Sequence, residues 1–543
     1  MSTTSNCTAR RARGRQVGRP HQPTAQADLA GARGSHRTSS ARILPIAAQS
    51  PCGGKVENQI WDTDTTADPG SDPNPSGVTS LRFGVLTARQ VIFFVIAAAA
   101  PLGFSVGAIP LAIGRGGIGT AGMLLVCGAI FAVFSVGYVA MARHIRKVGG
   151  LYLFVTEGLG RPLGVGSAFL AVLSYAVASI GSVGAFAVFA QHAVQNLLHW
   201  NTPWELWAFV AVASMALLGL LGVDLNARVL GIVVTCEIAI LLVFALVVTM
   251  SGGEDGLSAT AFSPHEVFGR QPGPMMAIAI TAFAGFEATV LYAEEVRDGH
   301  RTIRRATYGA ISVMMFLYAF VCWAVVQAFG DAGAVAQANT DPTNMFFTAT
   351  HSFIGNWAAQ TLNVVVVTSW FAAILAFHNA ASRYLFAMGR DRVLPPMFGR
   401  VQQRTGSPWA ASAGLSICTL LVVSIFAIGH LDPYLDLFVL CTTPGVIGLP
   451  VLTCLASVAV FAYFLRNKRG LPAWQVWFCP LLAAAALAFV TWLIIDQLDL
   501  FTGRSGIVNI ILPLIVPAAV LFGCARAFWL RQRQPDAYER LAS

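Results

Sequence analysis

From about Leu81 onward the chain is a series of long apolar runs separated by short polar segments. A helix that crosses a bilayer takes about 20 predominantly apolar residues. Runs of that kind fall at 88–113, 119–142, 164–191, 205–222, 229–250, 274–295, 306–330, 357–380, 410–429, 435–464, 475–495 and 507–530. They predict twelve transmembrane helices and an all-α integral membrane fold. Residues 1–80 carry no such pattern. The stretch "TSNCTARRARGRQVGRPHQPTAQADLAGARGSHRTSS" is rich in Arg, Ser, Thr, Gly and Pro and reads as a disordered basic tail. Its Arg10–Arg11 pair is not followed by an apolar core, so no signal peptide is expected. A natural start near Val78 or Leu81 is the other reading of this segment.

Composition supports the membrane reading. Charged residues make up 11% of the chain and apolar ones 55%, against about 25% charged in soluble domains. The mean hydropathy is +0.64. The polar segments then orient the spans. An even number of crossings puts both termini on one side. That side holds Arg143, Arg146, Lys147 and Arg161, then Arg297, Arg301, Arg304 and Arg305, then Arg383, Arg390 and Arg392. The opposite loops hold Arg115, Arg270 and Arg504 among acids such as Glu254, Asp255, Glu266 and Asp432. Basic loops stay in the cytoplasm, so the termini, including the tail at 531–543, are expected there, in a cytoplasmic membrane. The net charge of +9 then follows from topology and the tail, and no nucleic-acid partner is expected. The ten cysteines form no CxxC pair or Cys/His spacing, so no metal site is expected.

Two spans carry helix breakers at membrane depth. The first reads "VIFFVIAAAAPLGFSVGAIPLAIG", with Pro101, Gly103, Gly107 and Pro110 within ten residues. Proline removes a donor and clashes with the preceding turn. A break leaves a helix N-terminus with free N–H groups that suit a carboxylate. The stretch Gly103, Phe104, Ser105, Val106, Gly107 is therefore the expected anion-binding turn. The sixth span reads "TAFAGFEA", where Phe283, Ala284, Gly285 and Phe286 form the matching break, suited to an ammonium group. Breaks at corresponding positions of two halves, spans 1–5 and 6–10, point to a transporter site at the repeat interface.

Ionisable residues inside a membrane are costly and mark function. Glu287 sits beside the sixth-span break. It either caps the broken helix or faces the cavity and binds an amine or a proton. Glu237, in "VVTCEIAILLV", is the other acid. Desolvation disfavours charge, which makes Glu237 a proton-coupling candidate, with pairing to a polar group of another helix as the alternative. Glu294, Glu295, Arg301 and Arg383 are the expected ion pairs of a cytoplasmic gate. His378 and Asn379 read as the polar end of span eight. Tyr175, Ser179 and Trp370 are candidates for the cavity wall.

Three stretches resemble the amino acid–polyamine–organocation (APC) permeases: "GFEATVLYAEEVRDGHRTIRRA" after span six, "GGLYLFVTEGLGRPLG" after span two, and "ASRYLFAMGRDRVLPPMFGRV" after span eight. Arg304 stands where that pattern has proline, Ser105 replaces its second first-span glycine, and Pro101 is additional. The resemblance implies a leucine-transporter-type fold: two inverted five-helix repeats at about 88–250 and 274–464, plus two helices at about 475–530, in one domain over 81–530. It implies uptake or exchange of amino acids or related amines, bound at the first-span and sixth-span breaks. No HExxH, convincing GxSxG or GxxxxGK[ST] motif is present. The expectation is therefore a secondary active transporter and not an enzyme, with no cofactor. Proton coupling is expected and sodium is the other option. An exchanger, a polyamine transporter or a transport-inactive sensor of the same fold are the alternatives. The expected partners are a small-molecule substrate and the lipid bilayer; oligomeric state is not legible.

Overall fold

A computed structural model of the chain describes residues 84, 86–145, 149–221, 223–269, 271–293, 295–296, 299–402, 406–466, 470–539 and 541. The segment read as a tail, 1–80, and Glu294 lie outside the described residues. Among the described residues, twelve helices are long and apolar enough to cross a membrane. Span 1 is Ala88–Gly116, span 2 Thr120–Ala142, span 3 Arg161–Leu198, span 4 Trp204–Leu221, span 5 Leu225–Ser251 and span 6 Pro272–Tyr292. Span 7 is Arg301–Thr340, span 8 Asn356–Arg390, span 9 Trp409–Ile428, span 10 Pro433–Arg466, span 11 Trp474–Asp496 and span 12 Ile507–Arg533. Each overlaps the run expected from sequence. Among the described residues the one extended feature is an isolated bridge between Leu86 and Val296.

Two expected ends moved. Span 8 runs ten residues past its expected end, to Arg390, because "ASRYLFAMGR" continues the helix with good helix formers. His378 is therefore buried inside a helix and not at its end. The helical stretch of span 7 carries on to Thr340, but Gly330 interrupts it with a left-handed φ of 71°, at the position where the apolar run stops.

Packing follows a repeat. Spans 2 and 7, 3 and 8, and 4 and 9 pack directly on each other, as do the halves of spans 1 and 6. Each of spans 1 to 4 thus meets the one five later. Five is odd, so the second set of five crosses in the opposite sense to the first. This is the inverted five-plus-five arrangement of a leucine-transporter-type fold, with spans 11 and 12 added outside. Span 6 is the best enclosed, with 83% of its apolar window buried, and span 12 the least, with 11%. Exposed Ile507, Ile510, Leu514, Leu521 and Phe522 make span 12 an outer, lipid-facing helix.

Candidate functional site

The first span breaks earlier than its glycines suggest. Its first half ends at Ala98, Ala100 takes left-handed angles (φ 44°), and the second half starts at Pro101. Proline is well suited to the first position of a helix, where its missing N–H costs nothing. Gly103 to Gly107 therefore lie in the opening turns of the second half and remain helical; they do not form the expected turn. Pro110 is carried inside that helix. Gly103 serves close packing, since a Cβ there would lie 3.0 Å from the Trp370 ring.

The free amides of this new helix end can be counted. Pro101 has no N–H. The Leu102 amide donates to Glu237 Oε2 (3.2 Å). The Gly103 amide donates to Ser369 Oγ (3.2 Å), and Ser369 in turn donates to the same Glu237 oxygen (2.7 Å). The Phe104 amide closes the first helical turn on Ala100. Glu237, wholly buried on span 5, is thus the cap of a half-helix that lacks a capping side chain of its own. Its pairing with polar groups of other helices is the second of the two roles read from sequence. Its other oxygen, Oε1, has no hydrogen-bond partner.

The sixth span breaks where expected. Its helix ends at Ala279, a 3₁₀ turn covers Ile280–Phe283, Ala284 is extended, and Gly285 has φ 90°. A Cβ on Gly285 would sit 2.7 Å from that of Ala98, so glycine answers both the angle and the contact between the two breaks. The chain resumes as a 3₁₀ helix, Phe286–Tyr292. Tyr138 of span 2 holds it. Its hydroxyl accepts from the Val290 amide (3.1 Å) and donates to the Glu287 carbonyl (2.9 Å), with Thr289 Oγ1 2.7 Å away.

Between the breaks lies a cavity of about 270 Å³, just under the roughly 300–1,000 Å³ of small-molecule pockets. Its walls are mainly apolar and include the rings of Phe104, Phe131, Phe283, Phe286, Trp370 and Phe377. Gly103, Gly107, Ala284 and Glu287 also line it. Ser105, Val106 and Gly285 do not. The Ser105 hydroxyl is spent on the Pro101 carbonyl (2.7 Å), Val106 points into packing, and Gly285 shapes the turn from behind. Glu287 sits in the first turn of the resumed helix and lines the cavity. Tyr175 stands behind it and donates to Oε1 (2.7 Å). Ser179 is bound to the Ile374 carbonyl (3.1 Å) and does not line the cavity; Ala178 and Ser182 do.

The cavity extends towards the acidic-loop end, where Leu111, Tyr434 and Phe501 line it. The arginine-rich end is shut. Glu295 and Arg383, both buried, form a two-pronged ion pair (2.8 and 3.2 Å), with the guanidinium 4.4 Å from the Tyr292 ring centre. Arg301 is exposed and makes no ion pair among the described residues. A long arginine side chain on a helix end reaches water more cheaply than a buried partner. The three family-like stretches converge here. Tyr152 donates to Asp391 Oδ2, and the Leu151 amide approaches the Tyr384 hydroxyl (3.4 Å). Gly150, at φ 60°, lets Tyr384 and Leu291 approach closer than any Cβ would allow. Glu295 and Arg383 are among the gate residues expected from sequence; the Tyr152–Asp391 and Leu151–Tyr384 contacts were not legible there, because their members stand far apart along the chain.

Twelve apolar spans around a membrane-depth cavity, with two interrupted helices at its centre, define a multi-pass membrane protein of the transporter class. The chain belongs to the amino acid permease family, whose model matches residues 86–516. It is 24% identical over 359 residues to a vacuolar cationic amino acid transporter 2 of Arabidopsis thaliana, covering 64% of this chain and 52% of the relative. It is 24% identical over 317 residues to an uncharacterized transporter of Mycobacterium tuberculosis, covering 58% and 66%. It is 23% identical over 421 residues to the branched-chain amino acid permease BcaP of Bacillus subtilis, covering 72% and 82%. The chain thus spans about half to two thirds of the length of the first two of these. Membership places it among permeases and not among enzymes.

Proposed function

We propose that this protein is a secondary active permease that carries amine-bearing solutes, amino acids or related amines, by alternating access coupled to protons. One observation carries the reading: a cavity at membrane depth holds a single carboxylate, Glu287, between two broken helices. A carboxylate against aromatic rings is a seat for an ammonium group. The cavity reaches one end of the bundle while the Glu295–Arg383 pair closes the other, as one arm of an alternating cycle requires. In this reading the arginine-rich loops face the cytoplasm and the cavity opens outward.

Glu237 and Glu287 are the two carboxyls able to take up a proton within the spans. Glu237 is the stronger coupling candidate. Its cap on the first break links its proton to the helix half that must move, and its free Oε1 has room for that proton. The decisive experiment is uptake into proteoliposomes under an imposed pH gradient, with and without sodium. Wild type should concentrate labelled amines or amino acids under an inward proton gradient, and Glu237→Gln should retain only downhill exchange. Undiminished gradient-driven uptake by that variant would remove Glu237 from coupling. Uptake that needs sodium and ignores pH would replace the proton with sodium.

A further inference from the structure

We infer that the solute seated in the cavity is an organic cation with no carboxylate, an alkyl or arylalkyl amine in preference to the corresponding amino acid. The inference rests on the permease reading above and names the substrate class of that same cavity.

A zwitterionic amino acid needs two seats, and one of them is already filled. The anion seat offered by a broken helix is its set of free N-terminal amides. At the first break the amides of Leu102 and Gly103 are taken by Glu237 and Ser369. At the second, the Glu287 carboxyl stands in the first turn of the resumed helix and lines the cavity. The first broken helix is thus capped by a glutamate of the protein itself. With or without its proton, the Glu237 carboxyl stands where a substrate carboxylate would otherwise accept.

No cation offsets this. Among the described residues lining the cavity there is no lysine, arginine or histidine. The buried arginine nearest in the fold, Arg383, is committed to Glu295. A solute carboxylate would enter a mostly apolar cavity that already holds the Glu287 carboxyl, with no counter-ion and with only neutral donors such as Trp370 Nε1 and the Tyr434 hydroxyl. Burial of a charge in that state is heavily penalised. An ammonium group meets the opposite situation. Glu287 has acceptor capacity beyond the bond from Tyr175, and Phe104, Phe283 and Phe286 offer ring faces. Pro101, which takes the first position of the second half-helix and so places the Leu102 amide at its open end against Glu237, is the sequence feature behind the filled seat.

The test compares matched pairs on the purified full-length protein. The probes are 3-methylbutylamine against leucine and 2-phenylethylamine against phenylalanine, with leucinamide as the carboxylate-free analogue. Binding is read by thermal stabilisation and by uptake into proteoliposomes. Each amine, and leucinamide, should bind at least tenfold tighter than its amino acid. Glu287→Gln should weaken the amines at least tenfold. Glu237→Ala should free the Leu102 amide and raise leucine affinity severalfold. Glu237→Gln, which keeps the acceptor and guards against a folding failure of the alanine variant, should still exclude leucine. Leucine binding as tightly as 3-methylbutylamine in wild type would overturn the inference and leave the permease reading standing. Binding and uptake of none of the five probes would overturn the amine-solute reading itself, and this inference with it.

Discussion

Glu295 and Arg383, 88 positions apart, meet as a two-pronged ion pair with side chains only 3% exposed. The contact joins the segment just after span 6 to the last two turns of span 8, and it lies between the cavity and the arginine-rich end. The Leu86 amide also bonds to the Glu295 carbonyl (2.8 Å), which ties the start of span 1 to the same point. One residue thus links both broken helices to the closed end.

Removing one partner leaves the other charge buried without compensation, at a cost of about 3–5 kcal/mol. Arg383→Gln and Glu295→Gln should each lower thermal stability markedly. The double variant should recover much of that loss, since the orphaned charge is gone. Both singles and the double should open the closed end, seen as faster labelling of a cysteine introduced at Ser382. Unchanged labelling in the double variant would show that the pair is static and not a latch.

Gly285→Ala should be severely damaging. Its φ of 90° is costly for any L side chain, and the added Cβ would lie 2.7 Å from Ala98. Pairing it with Ala98→Gly should relieve the contact but not the angle, so stability should return only in part. Differential scanning of the two variants against wild type checks this.

Tyr175→Phe removes the hydroxyl that donates to Glu287. A buried hydrogen bond to a charged group is worth about 1.5–3 kcal/mol. The variant should fold, lose stability within that range, and show weaker amine affinity because Glu287 is no longer held. Measured amine affinity equal to wild type would confine Tyr175 to packing.

Tyr138→Phe strips the partner from the Val290 amide and leaves a buried N–H in the 3₁₀ helix. The expected penalty is about 1–3 kcal/mol, with faster hydrogen exchange over 286–292. The readout separates this role from that of Tyr175, since ligand affinity should fall less than backbone protection.

Much of the site was legible as local chemistry. Gly285 and Glu287 stand together because a break and an acid both need a protein-lined interior, and that is where they are found. Glu237 was visible as a lone acid in an apolar run. The first break was misplaced by a few residues. Four breakers in ten residues do not say which one ends the helix, and the answer depended on Pro101 taking the first position of the second half. Arg301 and Arg383 looked equivalent as charges near a helix end. Packing distinguished them, since Arg383 faces span 6 and Arg301 faces water.

The sequence by itself determined the twelve crossings, their orientation bias, the pair of interrupted spans and the few acids within them. Those are properties of single segments, because the bilayer penalises each exposed polar group on its own terms. Tertiary structure decided which groups meet. Leu102 and Glu237 are 135 positions apart, and Gly103 and Ser369 are 266 apart. Only the packing of spans 1, 5 and 8 brings a carboxylate onto the open helix end, and that contact determines what the cavity has left to offer a solute.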